Sequence, residues 1–391
     1  MPHRQRVALG LESLAEDTAS LAGQRLGLVV SPASVDADLN STIERLRAIP
    51  ALRLTALFGP EHGVRGDAQA GELVENTVDH VTGLPMFSLY GATKQPTADM
   101  LADVDTLVFD LQDVGLRFYT YLSTLVYVMQ AAAQYGKRVV VLDRPNPLNG
   151  VSLAGGLVDA SFTSFVGLVP VAMRYGLTAG EIAQYLKAEL SIHCDLHIIP
   201  MRGWQRSMWH DDTGLPFVPP SPNIPTLDSL VAYAGTCLIE GTNLSEGRGT
   251  TRPFEIIGAP YIDAHTLAQQ LNSRDLPGVR FRPVYFTPTF SKYQGETCGG
   301  VQLYVNDRAQ FDPVRTTLLL IADVKQRYPD QFAWRDPWAA GSHRPIDLLS
   351  GSMQLRQHLD ADGEIDALLS HWQNERADFE LRRTLYYLYT A

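Results

Sequence analysis

A glutamate and a histidine stand side by side in the sequence FGPEHGVRGDAQAGE, residues 58–72, and glycines surround them. The proline before Glu61 stiffens the approach, and the glycines let the backbone come close to a ligand. A carboxyl group in such a position can act as a general acid. The alternative is an ordinary turn in which Glu61 caps a neighbouring helix. We predict that Glu61 and His62 are catalytic and that Gly63 and Arg65 contact the substrate.

A second polar stretch, EGTNLSEGRGTT, spans residues 240–251 and follows an apolar segment that we expect to be a buried strand. Its two glutamates are six positions apart among glycines, so they do not form the ion-pair ladder of a helix. Amides and hydroxyls could hold sugar hydroxyl groups, and arginines could hold a carboxylate. A polar surface loop is the alternative. We predict catalytic or binding roles for six residues here: Glu240, Asn243, Glu246, Arg248, Thr250 and Arg252.

Four apolar runs predict the strands of a parallel sheet: residues 25–32, 52–60, 104–113 and 137–145. Each is apolar on both faces, which is typical of a sheet covered by helices on both sides. Helical spacing in residues 41–49 and 120–137 predicts connecting helices, the second capped by Gly136. This alternation indicates a doubly wound, Rossmann-like α/β fold. Because no GxGxxG sequence follows the first strand, we expect no dinucleotide and predict no cofactor.

Polar side chains follow all four predicted strands. The carboxyl ends of parallel strands meet at one edge of a sheet, where ligands bind, so we expect these side chains to converge. The candidates for substrate contact are Ser31, Asp110, Gln112, Asp113, Arg117, Tyr119 and Asn146. Structural support is an equal alternative for the group from 110 to 119, and Asn146 could be a turn residue. We expect Asp143 and Arg144 to form a structural ion pair that shapes this edge.

The second half of the chain is less regular. Thr178 and Glu181 predict a capping box that opens a helix over residues 177–190. The sequence PPSPNIPT, residues 219–226, predicts an ordered or extended loop, in which Asn223 is a candidate for substrate binding. Residues 348–389 predict two helices. We place the domain boundary near residue 150, which gives an N-terminal domain of residues 1–150 and a C-terminal α/β domain of residues 151–391.

The length and composition of the chain exclude several classes of protein. With 391 residues, 45% of them apolar, the chain is long enough for two domains, and a net charge of −11 argues against nucleic-acid binding. No apolar run has the length of a membrane span, so we expect no membrane partner. Acidic residues interrupt any leader-like segment, which predicts a cytoplasmic protein, or a periplasmic or secreted one whose leader has been removed. Three widely spaced cysteines exclude a disulfide framework, and we predict no metal and no particular oligomeric state.

Two carboxylates on opposite walls of a cleft, without a cofactor motif, are typical of glycoside hydrolysis. One protonates the glycosidic oxygen, and the other activates water, attacks the sugar or steadies a neighbouring acetamide. Two other classes fit these residues: a non-catalytic sugar- or muropeptide-binding protein, and a metal-dependent hydrolase of another bond.

Several long motifs together resemble the NamZ-type exo-β-N-acetylmuramidases, glycoside hydrolase family 171. They follow one another over nearly the whole chain: LFGPEHGVRG, FDLQDVGLRFYTYLSTL, VLDRPNPLNG, PPSPNIPT and CLIEGTNLSEGRGTTRPFEIIGAP. The resemblance implies a Rossmann-like domain joined to a second α/β subdomain, with the active site in the cleft between them. It also implies removal of terminal N-acetylmuramic acid from the non-reducing end of peptidoglycan-derived chains.

Carried over by residue, the resemblance places the glutamate of the PEHG motif at Glu61, as general acid, and residues 240–251 on the opposing wall. We take Glu246 ahead of Glu240 as the second carboxylate, because Glu240 directly follows the predicted strand. Arg248 or Arg252 would then bind the lactyl carboxylate that distinguishes muramic acid from glucosamine.

Two positions depart from the family pattern. Ser31 stands where asparagine is expected, and Tyr175 stands where histidine is expected. Both are candidates for substrate contact, so the preferred sugar could differ from that of other members.

Overall fold

The computed structural model of the protein describes residues 6–16, 18–66, 75–339 and 341–390. This part of the chain forms two compact units. The first comprises the described residues of Met1–Ser152, Tyr175–Pro222 and Glu380–Ala391, and the second comprises those of Leu153–Arg174 and Asn223–Phe379. The chain therefore returns to the first unit twice.

The first unit is built on a seven-stranded sheet. Its strands are β1 (Arg25–Val30), β2 (Arg53–Gly59), β3 (Thr77–Val78), β4 (Pro85–Ser88), β5 (Thr106–Asp110), β6 (Arg138–Leu142) and β7 (Asp195–Ile199). Their order is β3-β4-β2-β1-β5-β6-β7, and every neighbouring pair is parallel except β3 and β4. This mostly parallel sheet, together with a second, smaller sheet, confirms the predicted α/β fold class.

β1 lies inside this sheet, between β2 and β5. Val29 of β1 pairs with Phe58 on one side and with Phe109 on the other. From β1 the chain runs outward to β2 and β4, and it then returns to the opposite side of β1 as β5. This reversal is a topological switch point, the place where open α/β sheets bind ligands beyond the carboxyl ends of their strands. Ser31 follows β1 at that place, and residues 111–113 follow β5.

The helices of the first unit are α1 (Gly10–Glu16), α2 (Thr42–Arg47), α3 (Tyr121–Tyr135) and α4 (Ala179–Glu189). α3 ends at Gly136, whose φ of 62° is left-handed, as the sequence predicts. α4 opens with the predicted capping box, in which Thr178 and Glu181 each accept a hydrogen bond from the other's backbone N–H. Both helix predictions are confirmed.

The second unit contains an antiparallel sheet of order β8-β10-β9, with β8 (Ile256–Ala259), β9 (Val279–Phe286) and β10 (Cys298–Val305). Its helices are α5 (Leu227–Thr236), α6 (Ala264–Ser273), α7 (Pro313–Arg327), α8 (Pro345–Ser350), α9 (Gln354–Asp360) and α10 (Ile365–Glu375). A further helix, α11 (Ala377–Arg382), leads the chain back to the first unit.

Two predictions for the second unit are wrong. The apolar segment before the 240–251 loop is helix α5 and a 3₁₀ turn over Cys237–Gly241, not a strand. A helix buried on most sides carries the same unbroken apolar run as a buried strand, so periodicity does not separate them. The tract predicted as two helices contains α8 to α11, because Gly351, with φ of 92°, ends α8 early.

The compact units also differ from the predicted division at residue 150. α4 and β7 lie beyond that residue, yet β7 extends the first sheet by pairing in parallel with β6. Residues 380–390 likewise belong to the first unit. Among the helices that the structure describes, none is long and apolar enough to cross a lipid bilayer.

Candidate active site

The turn after β2 has a backbone that few residues adopt. His62 has a φ of 73° and is 5% exposed, and Gly63 has a φ of 74°. A left-handed backbone is uncommon for any residue but glycine, and it concentrates at functional sites. At Gly66, also left-handed, a Cβ would lie 2.5 Å from Cγ of Pro32, which follows β1. Glycine at this position lets the two loops pass closely and sets Glu61 beside the switch point.

The carboxyl group of Glu61 is held by hydroxyl groups. Thr120 stands at the N-cap of α3 but makes no cap with its side chain; its hydroxyl instead donates to Oε2 of Glu61 at 2.8 Å. Burial, the charge of Glu61 and the hydrogen bond between the two side chains together raise the pKa of Tyr90 to about 12. Tyr90 therefore keeps its proton at neutral pH and remains a donor to Glu61.

Tyr121, at the start of α3, lies within the electrostatic influence of a carboxyl group after β2 and of another after β5. Its hydroxyl donates to the carbonyl oxygen of Pro220 at 3.1 Å, as does that of Tyr119 at 2.8 Å. Burial raises the pKa of Tyr121, and the charges of both Glu61 and Asp113 add to the rise. The two carboxyl groups thus lie near one hydroxyl group, although 52 positions separate them in the sequence.

Asp113 is almost completely buried. Its Oδ2 accepts hydrogen bonds from the hydroxyl of Tyr175 and from the backbone N–H of Gly115, the latter at 2.8 Å. Burial raises the pKa of Asp113 to about 6, although hydrogen bonding from Tyr175 and from the backbone N–H groups of Gly115 and Val114 opposes the rise. Burial and the charge of Asp113 raise the pKa of Tyr175 well above its usual value, so Tyr175 is a permanent donor.

Asp110 and Asp143, which end β5 and follow β6, have complete sets of partners. Asp110 accepts from Nε and Nη2 of Arg144 at 2.5 and 2.8 Å. The prediction that Arg144 pairs with Asp143 is wrong, because adjacent side chains of an extended chain point in opposite directions. Asp143 instead accepts from Thr178 at 2.7 Å and from the Tyr389 hydroxyl at 2.5 Å. Both aspartates stabilise the fold at this edge.

Three other candidates tie loops of the first unit together. Gln112 donates from Nε2 to the carbonyl oxygen of Pro145 at 2.9 Å, and Asn146 donates from Nδ2 to that of Leu177 at 2.9 Å. Arg65 pairs with the buried Asp79 through two hydrogen bonds of 2.9 and 3.0 Å. A Cβ at Gly115 would lie 2.3 Å from Nδ2 of Asn146, so the loops after β5 and β6 pack directly on each other. Two more candidates are buried here: Ser31 and Arg117.

In the second unit, the glutamates of the 240–251 loop belong to a network of ion pairs. Glu246, with a side chain 3% exposed, lies 2.9 Å from Nζ of Lys292 and 3.3 Å from Nε of Arg248. Arg248 also binds Oε1 of Glu240 through Nε and Nη2, at 2.9 and 2.8 Å. Lys292 donates to two backbone carbonyl oxygens of the same region. This network fixes the path of the loop.

The remaining loop candidates differ in exposure. Asn243 donates to the carbonyl oxygen of Gln331 at 2.7 Å, and Thr250 donates to that of Gly247 at 2.7 Å. Arg252 has a side chain 47% exposed and an ion pair of 3.3 Å with Glu255. Asn223 is buried, at 4% exposure. Arg252 is therefore the cation of this loop that is best placed to meet a solute.

The sequence alone did not point to Thr120, Tyr90 or Lys292. A threonine directly before a helix is typical of an N-cap, and that pattern conceals the contact of Thr120 with Glu61. Tyr90 and Lys292 lie outside the polar motifs, and their contacts arise only from packing. Within the described ranges, no group of three or more His, Cys, Asp or Glu side chains is arranged to hold a metal ion.

Comparison with known proteins places the chain in a family. Residues 26–228 match "Exo-beta-N-acetylmuramidase NamZ, N-terminal", and residues 231–389 match "Exo-beta-N-acetylmuramidase NamZ, C-terminal". The chain belongs to the NamZ family. The peptidoglycan β-N-acetylmuramidase NamZ of Bacillus subtilis (strain 168) is 47% identical over 387 residues, which are 99% of this chain and 92% of that protein.

Two solved structures of DUF1343 family proteins from Bacteroides fragilis NCTC 9343 are also similar to this chain. The first is 38% identical with a TM-score of 0.91, and it covers 98% of this chain and 99% of its own. The second is 27% identical with a TM-score of 0.79, and it covers 99% of each chain. Within the NamZ family match, Glu61 and Asp113 fall in the N-terminal part and the 240–251 loop falls in the C-terminal part.

Proposed function

We propose that this protein is an exo-acting glycoside hydrolase that releases terminal β-linked N-acetylmuramic acid from the non-reducing end of peptidoglycan-derived fragments. Membership of the NamZ family supports the reaction class. The observation that carries the assignment of the catalytic acid is the position of Glu61, at the end of β2 and hydrogen-bonded to Thr120. That the protein meets these fragments in the cytoplasm stays a prediction.

Glu61 acts as general acid in this proposal. Its carboxyl proton passes to the glycosidic oxygen as the bond from that oxygen to the anomeric carbon breaks. Thr120 and Tyr90 orient the carboxyl group, so the proton is presented in a fixed direction. His62 supports the same turn through its left-handed backbone.

Arg252 is our choice for the lactyl carboxylate of muramic acid. Arg248 already binds both glutamates of its loop, whereas Arg252 is half exposed. A planar guanidinium group matches a carboxylate well. The role of Glu246 as second carboxylate stays a prediction, and its pairs with Lys292 and Arg248 are equally those of a residue that organises the loop.

The test uses para-nitrophenyl β-N-acetylmuramic acid, its lactyl methyl ester and the β-N-acetylglucosamine analogue. We expect the wild type to prefer the muramic acid substrate and Glu61→Gln to lower kcat by about 100-fold or more. Arg252→Ala should lower kcat/KM for the free acid by about 10- to 100-fold and leave the ester unaffected. Glu75→Gln and Arg280→Ala, both at exposed positions, are the matched controls.

Each outcome has a separate meaning. No release by folded wild type would overturn the hydrolase proposal and favour a binding protein. Full activity of Glu61→Gln would show that another group supplies the proton. Equal losses on the acid and the ester after Arg252→Ala would remove the basis for the lactyl contact.

A further inference from the structure

One oxygen of the Asp113 carboxyl group lacks a donor in the part of the chain that the structure describes. Oδ2 accepts hydrogen bonds from the Tyr175 hydroxyl and from the backbone N–H of Gly115. Oδ1 accepts none from the residues that the structure describes. The residue is 8% exposed. Buried polar atoms in native proteins are nearly always paired, and each exception calls for an explanation such as a ligand or a water molecule.

The nearby Asp143 shows that this edge of the sheet can satisfy a buried aspartate. Its Oδ1 accepts backbone N–H groups of Arg144 and Gly180 at 3.0 and 2.8 Å. Its Oδ2 accepts the hydroxyls of Thr178 and Tyr389. Both aspartates are buried and both follow adjacent strands, so the difference lies in the second oxygen alone.

The location of Asp113 connects it with the proposed reaction. It lies at the switch point between β1 and β5, and its charge acts on the same Tyr121 hydroxyl as the charge of Glu61. The side chain is anchored on one oxygen by Tyr175, which cannot lose its proton at neutral pH. The other oxygen is a fixed acceptor near the general acid.

We propose that Asp113 accepts a hydrogen bond from the N–H of the 2-acetamido group on the sugar that is cleaved, with Tyr175 as its positioning residue. This inference rests on the proposed function and names the part of the substrate that the first unit recognises. An amide N–H is a donor that complements a carboxylate oxygen. A sugar with a hydroxyl group at C2 in place of the acetamido group would have no acyl oxygen to attack the anomeric carbon.

When the Asp113 carboxylate accepts a hydrogen bond from the acetamide N–H, the carbonyl oxygen of the same acetamide gains electron density and acts as the nucleophile. That oxygen bonds to the anomeric carbon while the bond to the leaving oxygen breaks, and the leaving oxygen takes the proton of Glu61. The cyclic oxazolinium cation so formed is stabilised by Asp113. Water then adds to the anomeric carbon, its proton passes to Glu61, and the ring opens to restore the acetamide. Two inversions at one carbon retain the β configuration.

The experiment compares Asp113→Asn with Asp143→Asn, its matched control, and with Tyr175→Phe. The probes are para-nitrophenyl β-N-acetylmuramic acid and the thiazoline analogue of N-acetylmuramic acid, which resembles the cyclic cation. We expect Asp113→Asn to lower kcat by about 100-fold and to weaken thiazoline inhibition by a similar factor. Asp143→Asn should change neither value, whatever its effect on stability. NMR should show the β anomer as the first product of the wild type.

The pH profile supplies a readout that a structural role would not move. The titratable groups around Asp113 are Tyr175, which donates to it, and Tyr121, on which the charges of both Asp113 and Glu61 act. Wild-type kcat/KM should fall as the pH drops below about 6, because Asp113 must be ionised to accept the N–H. The Asp113→Asn variant should not show this decrease in kcat/KM at acidic pH, which is the acidic limb of the profile. Tyr175→Phe should move it to higher pH, because the hydrogen bond from Tyr175 lowers the pKa of Asp113.

Inversion of configuration by an active wild type would overturn this inference and leave the proposed function standing. So would an Asp113→Asn variant that keeps both its affinity for the thiazoline and its acidic limb. A folded wild type that neither hydrolyses the substrate nor binds the thiazoline would overturn both proposals.

Discussion

The buried aspartates after β5 and β6 illustrate how contacts decide what a single residue can do. Asp110 is neutralised by Arg144, and Asp143 receives four donors, so neither has an oxygen left for a solute. Asp113 is also buried, at 8% exposure against 0% for the other two, and one of its oxygens has no partner among the described residues. Sequence position alone does not separate these three residues, since each ends or follows an apolar strand of the same sheet.

Asp143 gives a prediction about stability and pH. Burial raises its pKa to about 6, so the folded state holds a proton between about pH 4 and 6 that the unfolded state has lost. The native state binds more protons than the unfolded state in this pH range. The stabilisation that Asp143 adds to the free energy of unfolding is therefore fully present below about pH 4 and is lost as the pH rises through about 6. Two pKa units correspond to about 3 kcal/mol.

Urea unfolding of the wild type and Asp143→Asn at several pH values between about 4 and 7 measures this contribution. The free energy of unfolding of the wild type should fall relative to that of the variant as the pH rises. Parallel curves would contradict the prediction. Carboxyl groups whose pKa is lowered, such as Asp36 and Asp79, act in the opposite direction in both proteins and cancel in the difference.

At the scale of elements, two helices of the first unit open with the same capping box in different surroundings. Ser41 caps α2 at an exposed site, with Glu44 as its partner. Thr178 caps α4 at a buried site, and its hydroxyl also donates to Asp143. The motif is therefore local in α2 and part of a larger buried network in α4.

We expect Ser41→Ala to lower the free energy of unfolding by about 1 kcal/mol, the usual value of an N-cap. Thr178→Ala should cost about 2 to 3 kcal/mol, because it also removes a donor from a buried carboxyl group. Thr178→Ser should restore most of the loss. Chemical denaturation of the three variants tests this, and equal losses for the two alanine variants would refute it.

The same contrast explains which elements the sequence could predict. Apolar runs identified β1, β2, β5 and β6, and local caps identified α3 and α4, because those signals lie within a few residues. The sequence does not predict β4 and β7, because they are short and partly exposed, and it predicts a strand in place of α5, because that helix is buried on most sides.

The candidate site was predictable only in part for a related reason. Its motifs could be located because polar residues cluster after strands. The contact of Thr120 with Glu61 and that of Lys292 with Glu246 join residues about 50 positions apart, and only tertiary packing determines them.

At the scale of the whole molecule, the segment 380–390 holds distant parts of the first unit together. Arg383, 4% exposed, donates to carbonyl oxygens of Gly150, Val151, Tyr175 and Gly176 at distances of 3.0 to 3.4 Å. Burial lowers its pKa, but an arginine remains protonated at neutral pH. The buried guanidinium group of Arg383 thus joins all three chain segments that make up this unit.

Arg383→Met should lower the free energy of unfolding by about 3 kcal/mol, because four backbone carbonyl oxygens, three of them at buried sites, lose a charged donor. Arg382→Met is the control: its side chain is 44% exposed and pairs with Glu189, so a change below about 1 kcal/mol is expected. Thermal unfolding monitored by circular dichroism compares them. Equal melting temperatures for the two variants would contradict this role of Arg383.

The return of residues 380–390 has a consequence for synthesis on the ribosome. The strands of the first unit emerge early, yet Tyr389, which donates to Asp143, is translated after the entire second unit. A nascent chain therefore carries a nearly finished sheet whose buried aspartate still lacks one of its donors while the later residues fold. Domains usually mature in the order in which they are made. Here the first unit to begin is the last to be completed.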